Sequence, residues 1–224
     1  MTIRILVLGV STDPLVQPKQ WKMDMRFGTW NVWSLYRSGS LTTLARELGR
    51  YKLVLMSVQE VRWDNGGIVR AGDYIFSKKK KENHQLGTGI FVQHRIVSAV
   101  KIVEFFSDRK SYIDLRGRWS NVIMFNAHAA SGEKSDDSKD SFYEKLEQVF
   151  DHFPKCRMKF LWGDFNEKMG REDIFKCIIG NESPNQISKG NSARIINFVT
   201  SENVVVKTTI FPHLKHSQIH LDLS

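Results

Sequence analysis

The sequence predicts a layered α/β domain in which sheets are covered by helices. Apolar runs of strand length outnumber helical patterns, and the helical patterns are interspersed among the strands. One run, Leu53-Val-Leu-Met-Ser-Val58, is continuously apolar enough to suit a strand buried on both faces. The 224 residues are 41% hydrophobic, 11% aromatic and 25% charged, enough for one sizeable core and too little for two. No stretch approaches the ~18 apolar residues of a membrane span, and no internal repeat is present. Lys and Arg number 33 against 24 Asp and Glu, a net charge of +9 that favours a polyanionic partner.

Residues 1–24 read as a leader or linker, with Pro14, Pro18 and little periodicity. Their opening apolar run is marginal against the ~7–15 residues of a secretory core, so the expected location is nuclear or cytoplasmic, not secreted. Cys156 and Cys177 fit no zinc spacing and read as reduced thiols.

Residues 25–224 read as one domain. Met25–Asn31 is a short strand. Ser40 offers an N-cap to a helix with Leu41, Leu44, Ala45 and Leu48 on one face, closed by Gly49. The strand Leu53–Val58 runs into Gln59-Glu60, and Asn65-Gly66-Gly67 marks a turn. Further strands are expected at Gly89–Val92, Ile96–Val103, Tyr112–Arg116 and Val122–His128. A second helix carries Phe142, Leu146, Val149 and Phe153, and the strand Lys159–Trp162 leads into Gly163-Asp164-Phe165-Asn166. A third helix over Asn191–Glu202 and a strand over Val204–Thr209 follow.

Asn31, Glu60, His128, Asp164 and Asn166 share one placement, the end of an apolar strand, where layered α/β proteins gather ligand-binding groups. Each alone has an ordinary explanation: a turn, a solvated charge, a satisfied histidine. Together they form a hard-oxygen inventory that suits Mg²⁺, which takes one or two carboxylates and leaves its other positions to water and phosphate. Phosphodiester cleavage needs those parts, whereas Walker A, HExxH, GxSxG and GxGxxG patterns are absent. Arg62 and Trp63 follow Glu60 and are placed to pair with phosphate or stack on a base. Lys78–Lys81 reads as a solvated loop, and Arg116, Arg118 and Trp119 as ordinary surface.

Gly28-Thr-Trp-Asn31-Val, Val58-Gln-Glu60-Val-Arg62-Trp63, Asn126-Ala-His128-Ala and Gly163-Asp164-Phe-Asn166 stand in the order seen in the endonuclease/exonuclease/phosphatase superfamily. More narrowly, Met25 to Phe211 resembles the endonuclease domain of RTE-type LINE retrotransposons and their craniofacial development protein 2-like host relatives. The resemblance implies a four-layered α/β sandwich of two packed sheets flanked by helices, incomplete at its C-terminus. It implies a DNA partner and Mg²⁺ with Mn²⁺ as the alternative, while the lack of a long apolar stretch gives the expectation of no membrane. In its terms Glu60 is the principal metal ligand, and Asn31 positions phosphate or a metal-bound water. His128 contacts the scissile phosphate, Asp164 orients the attacking water, and Asn166 donates to the phosphate. The family's Ile-Asp strand is matched only by Gln218-Ile219-His220, and its final Asp-His pair is not matched before Ser224. The expectation is therefore a truncated DNA endonuclease with impaired activity. Two alternatives stand beside it: a non-catalytic nucleic-acid-binding or interaction module, and a phosphatase of the same superfamily.

Overall fold

A computed structural model describes residues 3–8, 25–63, 66–79, 87–117, 121–129, 135–154, 157–165, 194 and 198. The strands are β1 (Ile3–Leu8), β2 (Met25–Asn31), β3 (Leu53–Gln59), β4 (Gly67–Ala71), β5 (Tyr74–Lys78), β6 (Thr88–Gln93), β7 (Val100–Phe105), β8 (Lys110–Leu115), β9 (Val122–His128) and β10 (Met158–Asp164). Helix α1 spans Ser40–Arg50 and α2 Asp136–Asp151.

Two mixed sheets form. The first has the order β1-β2-β3-β6-β5-β4, and the second β10-β9-β8-β7. Each contains one parallel pair among antiparallel neighbours, β2 with β3 and β9 with β10. Between the sheets lies a core of Phe27, Val54, Leu55, Ile90 and Val92 from the first, against Ile113, Leu115, Met124, Phe160 and Trp162 from the second. The outer face of the first sheet packs Met56, Val58 and Phe91 under Leu44, Ala45 and Leu48 of α1. The outer face of the second packs Ile123 and Phe125 under Phe142, Leu146 and Phe150 of α2, with the Phe125 and Phe150 rings stacked at 3.8 Å. The order is helix, sheet, sheet, helix. All seven residues of β3 are buried, as its unbroken apolar run demands in a strand covered on both faces.

Several elements differ from the sequence expectation. Ile3–Leu8 pairs antiparallel with β2, so a strand lies within the segment read as a leader. Helix α1 is capped by Gly39 (φ 81°) rather than by the Ser40 side chain, and it runs through Gly49 to Arg50 because Gly49 keeps helical backbone. The apolar run Ile96–Val103 splits into a 3₁₀ turn (His94–Ala99) and the start of β7, since the chain must cross from one sheet to the other there. The β4–β5 hairpin, closed by Gly72 at φ 58°, lies where the sequence pattern marks no strand. Lys78 is buried rather than solvated, its ammonium donating to the Trp63 carbonyl; Lys80 and Lys81 lie outside the described residues. Arg116 is exposed, as expected, while Arg118 and Trp119 are outside. Of the third helix, Arg194 and Phe198 are described, both helical, with Phe198 buried edge-on against Phe150. Cys156, Cys177, Asn166, Val204–Thr209 and the Gln218–His220 stretch lie outside.

Candidate functional site

The two parallel pairs bring their polar ends to the same side of the sandwich. Register pairs Asn31 with Gln59 across β2 and β3, and Asp164 with His128 across β10 and β9. Asn31 joins the two sheets: its Nδ2 donates to Glu60 Oε1 at 2.8 Å and to Asp164 Oδ2 at 3.1 Å. The two carboxylate oxygens therefore lie within two hydrogen-bond lengths of each other, although 104 positions separate them in the chain (164 − 60). His128 is buried, with Nε2 4.0 Å from Glu60 Oε1. Glu60 Oε2 accepts from Arg62 Nη2 at 3.0 Å, and the Arg62 side chain is half exposed. Trp63, half-buried, packs on Phe76 with ring centroids 5.7 Å apart.

The backbone around the site is strained. Trp33 (φ 62°), Glu60 (φ 55°) and Arg62 (φ 45°) adopt left-handed conformations that disfavour side chains with a Cβ. Tertiary hydrogen bonds hold them there: Val32 N to Gln59 O at 3.0 Å, Leu35 N to Val61 O at 2.7 Å and Val61 N to Gly87 O at 3.1 Å. Gly163 (φ 138°) is required for a different reason. A Cβ there would stand 1.8 Å from the Ala127 carbonyl oxygen, so only glycine lets β10 approach β9 and aim Asp164.

Two contributors lie outside the site residues expected from the sequence. Arg109 sits in the bend before β8, its backbone oxygen accepting from His128 N at 2.8 Å and its Nη1 donating to Ala129 O at 3.0 Å. Burial lowers its pKa, opposed by the nearby charges of Asp108 and Glu60. The His128 pKa is lowered chiefly by burial and then by Arg109, against the opposing pull of Asp164 and Glu60, which favours a neutral imidazole near pH 7. The second contributor is a buried polar cluster beneath the site. Gln59 Nε2 reaches Ser57 Oγ (2.7 Å), Thr29 Oγ1 (2.9 Å) and Asn126 Oδ1 (2.9 Å), and Asn126 Nδ2 reaches Ser111 Oγ (3.3 Å). It ties the residue before Glu60 to the strand that carries His128, across the two sheets.

The donor set favours a hard, partly hydrated cation. Among the described residues no three His, Cys, Asp or Glu side chains gather into one group. Glu60 with Asp164 beside it fits Mg²⁺, which needs one or two carboxylates and keeps waters for the rest.

Comparison with known proteins agrees with this architecture. A profile of the Endonuclease/Exonuclease/phosphatase family matches residues 28–183. Craniofacial development protein 2 from Bos taurus is 25% identical over 197 residues, covering 85% of this chain and 32% of that protein. The protein of the same name from Tragulus javanicus is 25% identical over the same length, with 33% of it covered. The chain thus spans about a third of the curated relatives it matches. Among solved structures, an AP endonuclease from Archaeoglobus fulgidus superposes with a TM-score of 0.53 at 16% identity, covering 79% of this chain and 70% of that one. The endonuclease domain of TRAS1, a telomere-specific non-LTR retrotransposon, superposes with a TM-score of 0.53 at 11% identity, covering 80% and 72%. Among the described residues no helix is long and apolar enough to cross a membrane.

Proposed function

From a chain that belongs to the endonuclease/exonuclease/phosphatase family, we propose a metal-dependent endonuclease domain that hydrolyses phosphodiester bonds in DNA. The observation that carries this reading is the single Asn31 amide bonded at once to Glu60 and Asp164. This network holds two carboxylates from different sheets at one point, where a cation and an attacking water can be positioned against the same phosphate.

Glu60 would hold the cation, Mg²⁺ or Mn²⁺, which when bound neutralises charge developing on the phosphate oxygens. Asp164 accepts a hydrogen bond from the attacking water and so orients it. Asn31 fixes the Asp164 carboxylate relative to Glu60. His128, favoured as the neutral imidazole by burial and Arg109, can donate one N–H to phosphate without repelling a cation at Glu60. Arg62 pairs with Glu60 in the structure and is exposed enough to turn to a phosphate of the DNA strand. Trp63 stands beside it against Phe76 and offers its uncovered side to nucleic acid. Asn166 follows Asp164 by two residues and is assigned the phosphate donor role on its family motif.

Conversion of supercoiled plasmid to nicked circle tests this. Nicking should require Mg²⁺ or Mn²⁺ and fall at least ~100-fold in Glu60→Gln, because catalytic groups that act as a unit fail together. Salt-sensitive DNA binding without any cation-dependent nicking would leave the non-catalytic binding module, and turnover of a small phosphoester alone would leave the phosphatase.

A further inference from the structure

The loop leaving β2 carries aromatic surface that hydrolysis does not use. Trp33 is 71% and Tyr36 66% exposed, the two exposed aromatic side chains among the described residues. Their neighbours Val32 and Leu35 are buried in the core under α1, so the loop alternates inward aliphatic and outward aromatic positions. Hydrogen bonds from Val32 N to Gln59 O (3.0 Å) and Leu35 N to Val61 O (2.7 Å) fix this backbone. The Trp33 backbone N–H also donates to Asn31 Oδ1 at 3.3 Å, tying this backbone to the side chain whose Nδ2 spans Glu60 and Asp164. The loop that accepts from Leu35 carries the exposed Arg62 guanidinium. Rigidly presented rings beside a cation are how single-stranded nucleic acid is held: bases stack on the rings while the charge tracks the backbone. In continuous duplex the base faces are covered by their neighbours, and only edges and phosphates are offered.

We propose that Trp33, seconded by Tyr36, is a stacking platform for a base lying out of the helix beside the scissile phosphate, so that this domain selects DNA with unpaired nucleotides over continuous duplex. The inference rests on DNA crossing this end of the sheets as proposed above.

Fluorescence anisotropy with calcium in place of magnesium reads binding to three labelled DNAs: a fully paired duplex, the same duplex with a thymidine bulge, and oligothymidine. Wild type should bind the bulged and single-stranded DNAs more tightly than the duplex. Trp33→Asn, chosen because asparagine tolerates left-handed backbone, should weaken those two about 5- to 150-fold while duplex binding changes less than about twofold. Tyr36→Ala should shift the same two DNAs in the same direction by less, and it decides the matter if Trp33→Asn does not fold. Equal losses on all three DNAs, no loss, no wild-type preference or no binding would each overturn the platform. The plasmid assay separates the two readings. Nicking without preference for unpaired DNA removes the platform alone, whereas a Trp33-dependent preference without nicking removes hydrolysis alone.

Discussion

Gly163→Ala should unfold the join on which the site depends. The added Cβ would lie 1.8 Å from the Ala127 carbonyl oxygen and 2.8 Å from its carbon. Carbon–oxygen contacts settle near ~3.3 Å, so β10 and β9 would have to part by roughly 1.5 Å at that point. Adjacent strands sit only ~4.8 Å apart, and a displacement of that size breaks the local ladder. The backbone adds its own cost: φ 138° belongs to a region open essentially to glycine, at about 1–3 kcal/mol for any other residue. Together the loss should be about 3–5 kcal/mol, or a Tm lower by about 6–20 °C in a domain of this size. The same shift moves Asp164 away from Asn31 Nδ2, now 3.1 Å away, so nicking should fall even where the protein remains folded. Gly49→Ala is the control. Nothing lies within 4 Å of a Cβ there and its backbone is helical, so the change should stabilise by about 0.5–1 kcal/mol. Urea denaturation followed by circular dichroism measures both. A Gly163→Ala protein within 1 kcal/mol of wild type would refute the reasoning.

Gln59→Leu deprives Asn126 Oδ1 and the Thr29 and Ser57 hydroxyls of a buried donor and should cost about 2–4 kcal/mol in urea unfolding; a neutral result would mean the cluster re-pairs without it. Burial holds the Lys110 ammonium at a pKa of about 8, below its ordinary value, while its Nζ donates to Phe142 O at 2.7 Å. The unfolded chain therefore binds the proton more tightly between pH ~8 and ~10.4, and stability gained from this group rises with pH across that window. The stability of wild type relative to Lys110→Met should increase from pH 8 to pH 10, and a constant or falling difference would contradict the burial argument. Arg62→Ala, at an exposed pair, should change stability by less than about 0.5 kcal/mol. It should nevertheless lower the slope of log DNA affinity against log salt by about 0.9, as loss of one phosphate contact requires; an unchanged slope would place Arg62 away from the DNA.

Much of this fold can be read along the chain because its strands are unusually explicit. β3 is an apolar run that ends at Gln59-Glu60, and β9 one that ends past Asn126 at His128; parallel pairing then carries those ends to one side of the sandwich. The convergence of Asn31, Glu60, His128 and Asp164 is legible for that reason. Arg109 is not, since it lies in a bend with no periodicity and reaches the site only through the β8–β9 register. The Gln59–Asn126 bond is equally hidden: both residues look like polar interruptions of strands, and their meeting depends on how the two sheets face each other. Ile96–Val103 misleads because an apolar run fits a strand as well as a packed 3₁₀ turn followed by one. Lys78 misleads because a lysine run implies solvent, whereas its first member ends a strand whose last residues are buried.

Whether Glu60 and Asp164 serve one cation is measured most directly by Mn²⁺ binding followed by electron paramagnetic resonance, with wild type, Glu60→Gln, Asp164→Asn and the double variant. The expected result is one site in wild type, weakened at least about tenfold by either substitution and little further by both together. Mn²⁺ binding indifferent to Glu60, or two sites each lost with a different carboxylate, would contradict a shared centre.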